Sequence, residues 1–433
     1  MEMKIWDKGE DINKAFEDFT VGKDRELDLF LAKYDVQASI VHAHMLAKVG
    51  LIDDEEAQKL ENSLNKISEL IRDGAFTISP EVEDMHSEIE SMLINDLGDL
   101  GKKIHTGRSR NDQVLVALKL FTRENLTLIA EKVLFLFDLL LTKSNDYQKV
   151  LMPGYTHMQV AMPSSFGLWF GAFAESLVDD LIMIKAAHEV ANKNPLGSAA
   201  GYGSSFPLDR EFTTKHLGFS SPNVNSVYAQ TTRGKLEKMT AFALSSLAGT
   251  LNKLASDVVL YSGENFGFFQ IPVEFTTGSS IMPHKHNPDG FEILRGKTNQ
   301  LQALPMTLTL LLNNLQTGYH RDTQLLKEQF IPAVFSIQQC LDMTISMLRD
   351  MEVSDDLLAD AKYDLVFSVE LVNELVLGGM TFRDAYKEVA KRIKDGSYEA
   401  PRDLNHSHLG SIGNLGNNYI KKSFMDVFSY FEE

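Results

Sequence analysis

The chain has 433 residues, 44% of them hydrophobic and 24% charged, a composition typical of a globular protein that folds in water. Its 42 lysines and arginines stand against 60 aspartates and glutamates, and the net charge of −18 argues against nucleic acid and anionic membranes as partners. A single cysteine, Cys340, excludes an internal disulfide framework and any zinc site built from cysteines.

The start of the chain and its apolar segments predict a cytoplasmic protein. The sequence begins MEMKIWDKGED, without the basic start and apolar run of a secretory signal. Its most apolar stretch, 133–141, is far shorter than the roughly 20 residues that span a bilayer. The single cysteine also suits a reducing compartment.

Residues 1–110 mix charged helical patterns with loops, and we expect an N-terminal helical domain. Helices are predicted at about 24–48, 53–73 and 81–97. Asp53 and Asp54 precede the second of these, as helix-capping residues do.

Residues 111–355 carry the longest apolar segments, which predict a central domain of long helices. In the first segment Glu124, Glu131 and Asp138 recur every seven residues and form a narrow polar stripe. A helix with so little polar surface must be covered on several sides, which predicts a bundle completed by other subunits. We find no convincing strand pattern in this region. The predicted segments are 112–145, 164–192, 232–262, 290–315 and 326–350.

Residues 356–433 are predicted to form a small C-terminal helical domain. Two shorter helices are expected at 357–378 and 382–395, followed by a tail rich in glycine and asparagine at 406–418. The fold class predicted for the whole chain is therefore all-α.

A dense polar segment, TGRSRNDQ at 106–113, precedes the first long helix. Its two arginines could bind carboxylates, and Asn111 could bind an amide or ureido group. The alternative is a capping turn in which Asn111 or Asp112 is the N-cap, and both interpretations can hold together.

Two further segments combine polar groups with short loops. His157 lies in PGYTHMQ at 153–159, in a turn between two long helices, although a lone histidine is more often structural. The segment 319–327 reads YHRDTQLLK, and its alternative reading is an ordinary charged loop.

The segment 278–292 reads GSSIMPHKHNPDGFE and is the most informative of all. Glycine and two prolines predict a loop, and an apolar helical pattern follows it. Hydroxyls, a lysine, two histidines, an asparagine and a carboxylate favour a mobile lid with catalytic groups. A solvated loop without function is the alternative.

No metal or cofactor site is predicted. His42 and His44 would point to different faces of one helix, and no carboxylate–histidine spacing accompanies His284 and His286. The glycine-rich run at 197–205 lacks the Gly-Lys-Ser/Thr of a phosphate-binding loop.

Together the four polar segments resemble the argininosuccinate lyase branch of the fumarase/aspartase superfamily. GSSIMPHKHNP is similar to the mobile-loop motif of the superfamily, whereas TGRSRNDQ and PGYTHMQ are similar to the argininosuccinate lyase forms of two other regions. The similarity runs in order from about residue 20 to 395.

The resemblance implies a three-domain, fumarase/aspartase-like fold with a long central helical bundle. It also implies elimination of fumarate from the small-molecule substrate argininosuccinate, without a metal or an organic cofactor. The family resemblance further implies a homotetramer in which each active site is shared between three subunits.

By position in the motifs, four residues would be catalytic. Ser279 resembles the family's base, which requires stabilisation of its alkoxide by Lys285 and backbone N–H groups. His157 resembles the second catalytic group, which acts as the acid or its relay. Glu292, thirteen positions after Ser279, resembles the carboxylate that orients this histidine.

The resemblance also implies the residues that hold the substrate. Lys285 and Asn287 would hold the succinyl carboxylates, and Tyr319, Gln324 and Lys327 the amino-acid end. Arg108, Arg110, Lys285 and Lys327 would together form a cationic pocket in an acidic protein. The full predicted substrate-binding set is Ser39, Arg110, Asn111, Thr156, Ser280, Asn287, Tyr319, Gln324 and Lys327, and His86 has a less defined role.

Two alternatives remain at this stage. One is another lyase of the superfamily, with adenylosuccinate as the substrate, although no phosphate-binding set is apparent. The other is an inactive structural protein of the crystallin type, although Ser279, His157, Lys285 and Glu292 are all present.

Overall fold

Helices form where the sequence carries its apolar segments, and the all-α prediction is confirmed. The computed structural model describes residues 13–432. The helices are α1 (Lys14–Val21), α2 (Asp24–Asp28), α3 (Ala32–Lys48), α4 (Asp54–Arg72), α5 (Met85–Leu97), α6 (Asp99–Lys102), α7 (Arg110–Asp146), α8 (Phe166–Ala191), α9 (Arg210–His216), α10 (Ser226–Thr231), α11 (Lys235–Tyr261), α12 (Asp289–Leu311), α13 (Leu326–Arg349), α14 (Ser368–Leu377), α15 (Phe382–Asp395) and α16 (Asn417–Phe428).

Short strands and 3-10 turns occupy some of the connections. The strands are β1 (Leu151–Thr156), β2 (Gln159–Ser165), β3 (Lys193–Asn194), β4 (Ser221–Pro222), β5 (Phe269–Gln270), β6 (Thr277–Gly278), β7 (His286–Asn287) and β8 (Glu352–Val353). The pairs β1–β2, β5–β8 and β6–β7 are antiparallel, and β3–β4 is parallel. The 3-10 turns are Lys103–His105, Val273–Phe275, Arg321–Leu325, Leu357–Ala359, Ala361–Phe367 and Ser429–Phe431.

The described residues fall into two compact units. Unit 1 contains residues up to 129 together with 183–245 and 301–336, and unit 2 contains 130–182, 246–300 and the residues from 337 onward. These boundaries fall inside the long helices, whereas the predicted division at 110 and 355 falls at their ends. The three-domain division therefore stays a prediction.

The predicted helix at 24–48 is two helices, because the chain tightens after α2. The N–H groups of Phe30 and Leu31 bond to the carbonyls of Leu27 and Asp28, a three-residue spacing that ends the α-helix. The predicted helix at 53–73 is α4, and Asp53 caps it in a capping box with Glu56.

The expectation that 111–350 contains no strands was wrong at the hairpin β1–β2. Leu151 pairs with Ser165 and Thr156 with Gln159, around a bulge that follows Pro153. The two prolines and the glycine in this segment interrupt any apolar alternation, so the strand pattern is not visible in the sequence. His157 and Met158 form the tight turn, with φ of 54° and 60°.

In unit 2, polar side chains join neighbouring long helices at their otherwise apolar contacts. Asp180 on α8 accepts hydrogen bonds from Ser246 and Thr250 on α11, each at 2.6 Å. Asn252 on α11 donates to Thr298 on α12 at 2.9 Å. Because a buried polar group without a partner is costly, these bonds specify which helices are neighbours.

One helical segment, Arg321–Arg349, is long and apolar enough to cross a bilayer by composition alone. Half of its most apolar window is buried inside the protein, as in the core helix of a folded domain. It also carries Lys327, whose ammonium is ion-paired. The absence of membrane association stays a prediction.

A stacked pair of phenylalanines allows a test of how the C-terminal helix is held in unit 2. The rings of Phe137 on α7 and Phe424 on α16 are fully buried and 3.8 Å apart. We expect Phe424→Ala to lower the free energy of unfolding by about 3–5 kcal/mol, because it leaves a cavity. The urea midpoint of unfolding measures this change.

The matched control is Tyr419→Ala on the same helix, where the side chain is 68% exposed. Its urea midpoint should stay close to that of the unmodified protein. Equal effects of the two substitutions would show that α16 is not held by this stacking.

Candidate active site

The segment before α7 is fixed by a buried carboxylate. Asp112 accepts hydrogen bonds from the backbone N–H of Ser109 at 2.9 Å and from those of Gly197 and Ala199 at 3.1 Å. Burial raises the pKa of Asp112 to about 6, while the nearby Arg108 opposes the shift. Because α7 begins at Arg110, Asn111 and Asp112 lie inside the helix, and the prediction that one of them is the N-cap was wrong. Asp112 instead accepts the N–H of Ser109, just before the helix, and ties the glycine-rich run at 197–205 to this segment.

A buried ion network lies beside it. His86 Nδ1 is 2.9 Å from Asp35 Oδ1, and Arg108 donates from Nη1 to Ser39 Oγ at 2.8 Å. Burial alone would raise the pKa of Asp35, but the neighbouring His86 holds that pKa below its usual value. Burial alone would lower the pKa of His86, but Asp35 raises it. His86 thus has a structural charge partner, and Ser39 is held by Arg108.

Arg110, at the start of α7, is paired with a carboxylate from the end of the loop before α5. Its guanidinium donates to Asp84 Oδ2 at 2.5 Å and to Ser87 Oγ at 2.6 Å. Burial would raise the pKa of Asp84, yet Arg110 holds that pKa well below its usual range. Asp84 also caps α5 through the N–H of Ser87.

Five of the predicted substrate-binding residues line a single cavity of about 210 Å³ in unit 1. The cavity has two carboxylates and four cations among its lining residues, so it suits the anionic end of a ligand. We refer to it as the amino-acid cavity. The predicted residues that line it are Arg110, Asn111, Tyr319, Gln324 and Lys327, and the others are Glu83, Asp84, Val114, Arg233 and Arg321.

Gln324 contributes an available acceptor to the amino-acid cavity. Its Oε1 is buried and has no hydrogen-bond partner within residues 13–432. A buried amide oxygen without a partner is costly, and a bound donor would remove that cost.

Lys327 is held between two buried carboxylates. Its Nζ lies 2.7 Å from Asp24 Oδ1 and 2.7 Å from Asp28 Oδ1. Burial would lower the pKa of this lysine, but Asp28 and Asp24 raise it instead, so the ammonium stays charged.

Arg233 is a lining residue that the sequence analysis missed. Its Nη2 donates to the carbonyl of Thr323 at 3.0 Å, and its Nε is 3.3 Å from Glu237 Oε1. The sequence feature that could have indicated Arg233 is its spacing of four residues from Glu237, at the start of α11, because residues four apart on a helix can form an ion pair. Arg233 is thus paired with a carboxylate, as Arg110 and Lys327 are, whereas Arg321 lines the cavity without an ion pair to any carboxylate within residues 13–432.

Ser39 lies outside the amino-acid cavity and is buried, with its hydroxyl oxygen bound by Arg108. Its predicted contact with the substrate stays a prediction.

The catalytic loop predicted at 278–292 lies in unit 2, and up to the start of α12 it is exposed except at Ser279, Asn287 and Pro288, which are half-buried. The strands β6 and β7 close its base, where Gly278 pairs with His286. Ser279 Oγ accepts the backbone N–H of Met282 at 3.1 Å. Such a bond is the kind of backbone support that an alkoxide at Ser279 needs. Lys285 and Ser280 also lie in the exposed part of the loop.

His157 and Thr156 lie at the turn of the β1–β2 hairpin, also in unit 2. Glu292 lies in the first turn of α12, where its Oε1 is 3.9 Å from Arg295 Nη2. Within residues 13–432 of one chain, no hydrogen bond or ion pair joins His157 to Glu292 or to Ser279. The orientation of His157 by Glu292 therefore stays a prediction.

Comparisons with known proteins identify the family. A family model described as a lyase matches residues 12–328. The argininosuccinate lyase of Parabacteroides distasonis is 54% identical over 431 residues, which cover 100% of this chain and 97% of that protein. The argininosuccinate lyase of Thermotoga neapolitana is 41% identical over 392 residues, covering 90% of this chain and 98% of the relative.

Solved structures share the fold. An EDDS lyase variant with bound fumarate superposes with a TM-score of 0.75 at 22% identity, covering 96% of this chain and 90% of that chain. The class II fumarase of Schistosoma mansoni superposes with a TM-score of 0.73 at 18% identity, covering 88% of each chain. The predicted fumarase/aspartase-like fold is thereby confirmed, and the chain belongs to the argininosuccinate lyase family of carbon–nitrogen lyases.

Proposed function

We propose that this enzyme eliminates fumarate from argininosuccinate and releases arginine, in the cytoplasm and within arginine biosynthesis. The observation that carries the proposal is the amino-acid cavity, which gathers five substrate-binding residues predicted from two distant segments. The catalytic groups predicted for the same reaction lie on two exposed segments of unit 2.

The amino-acid cavity is suited to the zwitterionic end of the arginine moiety. Lys327 and Arg233 supply positive charge for an α-carboxylate. Gln324 Oε1 supplies the acceptor that an α-ammonium requires. Asn111 offers an amide to the guanidino group, farther along the substrate.

The first chemical step removes the proton on the carbon next to a succinyl carboxylate. Ser279 takes this proton, and its oxygen is supported by the N–H of Met282 and by the charge of Lys285. The electron pair moves into the carboxylate, which becomes a dianion. Lys285 and Asn287 hold that developing charge, with Ser280, Thr156 and Ser39 as further contacts.

The second step breaks the bond between carbon and nitrogen. The electron pair of the dianion forms the double bond of fumarate, and the pair of the broken bond goes to the leaving guanidino nitrogen. His157 delivers a proton to that nitrogen, directly or through a bound water, and Glu292 orients the imidazole. The products are fumarate and arginine, and the proton taken by Ser279 returns to solvent.

We also propose a homotetramer with active sites shared between subunits. On α7 the exposed stripe that contains Glu131 and Asp138 also contains Phe135, which is 64% exposed. Met306 and Leu310 on α12 are 63% and 62% exposed. Large apolar side chains exposed on long helices support cover by further copies. A shared site also accounts for the lack of a bond between His157 and Glu292 within one chain.

The proposed activity is tested by following fumarate absorbance with the purified protein. Argininosuccinate should give a steady signal, because the amino-acid cavity fits its arginine end. Adenylosuccinate is the control substrate and should give none, because its nucleotide end lacks the α-carboxylate and α-ammonium that the amino-acid cavity is suited to bind. A signal only with adenylosuccinate would overturn the assignment.

The role of Ser279 is tested by substitution with alanine. We expect kcat to fall by about 10²–10⁴-fold, because the proton-abstracting group is lost, while the mass of the assembly in solution stays unchanged. Ser280→Ala is the matched control on the adjacent residue and should act mainly through KM. A near-normal kcat for Ser279→Ala would remove this serine from the mechanism.

The role of Gln324 is tested by steady-state kinetics of Gln324→Ala. We expect KM for argininosuccinate to rise about 10–100-fold, because a hydrogen bond to a charged ammonium is lost. The control is Gln316→Ala, whose side chain is exposed and does not line the amino-acid cavity. Equal KM values for the two variants would place the arginine end elsewhere.

A further inference from the structure

A second cavity of about 340 Å³ lies in unit 1, next to the amino-acid cavity. Residues at the start of α11 form one side of it, and the segment that follows α12 forms the other. We call it the cationic cavity. Its polar lining includes Arg233, Lys235, Lys238, Gln316, Tyr319 and His320.

The cationic cavity has no carboxylate in its lining. None of its described lining residues is an aspartate or a glutamate, whereas Glu83 and Asp84 line the amino-acid cavity. In the described part of the chain, the one carboxylate paired with a lining cation is that of Glu237, which contacts Arg233. Within residues 13–432, neither Lys235 nor Lys238 forms an ion pair with a carboxylate. In a chain with 60 acidic and 42 basic residues, two lysines without a carboxylate partner at one cavity are unusual.

Arg233 gives the cavity a rigid inner wall. The residue is 9% exposed, and its position is fixed by the carbonyl of Thr323 at 3.0 Å and by Glu237 at 3.3 Å. Its Nε makes no hydrogen bond within the described residues. Lys235 is exposed, with its Nζ 5.4 Å from the centre of the Tyr228 ring, so an ammonium is available nearby.

The lining predicts the class of ligand. Two lysines and an arginine favour a ligand with at least two negative charges, and hydroxyl and amide groups from Thr317 and Gln316 can bond to its oxygens. The volume is in the range of cavities that hold small molecules.

We propose that the cationic cavity binds a small, multiply charged oxyanion of the phosphate or dicarboxylate class, and that this binding weakens the binding of argininosuccinate. The second part rests on the proposed function. Arg233 and Tyr319 line both cavities, so an anion in one cavity competes for the charge that attracts a carboxylate in the other. Because the two binding equilibria are linked, bound substrate lowers the affinity for the oxyanion by the same factor by which the oxyanion lowers the affinity for the substrate.

The coupling acts on KM and leaves kcat nearly unchanged. The predicted catalytic groups, Ser279, Lys285, His157 and Glu292, belong to unit 2, and none of them lines the cationic cavity. An oxyanion there changes the charge around the arginine end of the substrate through Arg233 and Tyr319, which line both cavities.

The test is calorimetric titration of the substrate-free enzyme with inorganic phosphate and, separately, with succinate, at constant ionic strength. The variant is Lys235→Ala with Lys238→Ala, which alters only the cationic cavity. The control is Lys421→Ala with Lys422→Ala, which removes the same charge at two exposed positions of α16.

We expect saturable binding to the unmodified protein, loss of about tenfold or more in affinity in the Lys235/Lys238 variant, and unchanged affinity in the control. The more tightly bound anion identifies the ligand class. Binding of neither anion, or equal binding by all three proteins, would overturn the site. This result does not depend on turnover, so it is separable from failure of the proposed function.

The kinetic part of the proposal is tested with the same proteins. The anion that binds more tightly should raise KM for argininosuccinate in the unmodified enzyme and in the control variant. It should raise KM much less in the Lys235/Lys238 variant. Without the anion, the KM of that variant should equal that of the unmodified enzyme. The same rise of KM in all three proteins would show that the anion competes within the active site, and it would overturn the proposed coupling between the cavities.

Discussion

The ammonium of Lys327 lies 2.7 Å from both Asp24 and Asp28, and all three side chains are buried. Three charges without water are stable only together, because removing one partner of a buried ion pair costs about 3–5 kcal/mol. Asp28 also accepts the N–H of Met85 at the start of α5. The cluster thus joins α2, α5 and α13, and two of these helices flank the amino-acid cavity.

The same principle governs the other cations of unit 1. Arg110 is paired with Asp84, and Arg108 lies 3.7 Å from Asp35. Three of the four cations predicted for the pocket, Arg108, Arg110 and Lys327, therefore have carboxylates beside them, and their charge toward a ligand is moderated. Lys285 lies on the exposed loop of unit 2, so the pocket of all four cations stays a prediction. Some of the chain's many acidic residues are therefore the ion-pair partners of these buried cations. Fixed ion pairs also hold the cations in place before a substrate arrives, which lowers the cost of ordering them on binding.

The sequence predicted the features that depend on local pattern. The long helices lie where apolar segments are longest, and Asp53 caps α4 as its position indicates. The hairpin at β1–β2 was missed because its strands lack alternation. The family resemblance implied that Tyr319, Gln324 and Lys327 hold the same end of the substrate, and all three line one cavity. The partners of Lys327 were missed because they lie about three hundred positions away in the chain, and no local pattern reports such a contact.

We propose that the amino-acid cavity of unit 1 holds the arginine end of the substrate while the loop around Ser279 acts on the succinyl end. The most direct measurement is a crystal structure of the Ser279→Ala enzyme with argininosuccinate. We expect the α-carboxylate within hydrogen-bond distance of Lys327 and the α-ammonium against Gln324, with the succinyl carboxylates at Lys285 and Asn287. An arginine moiety bound outside this cavity would contradict it.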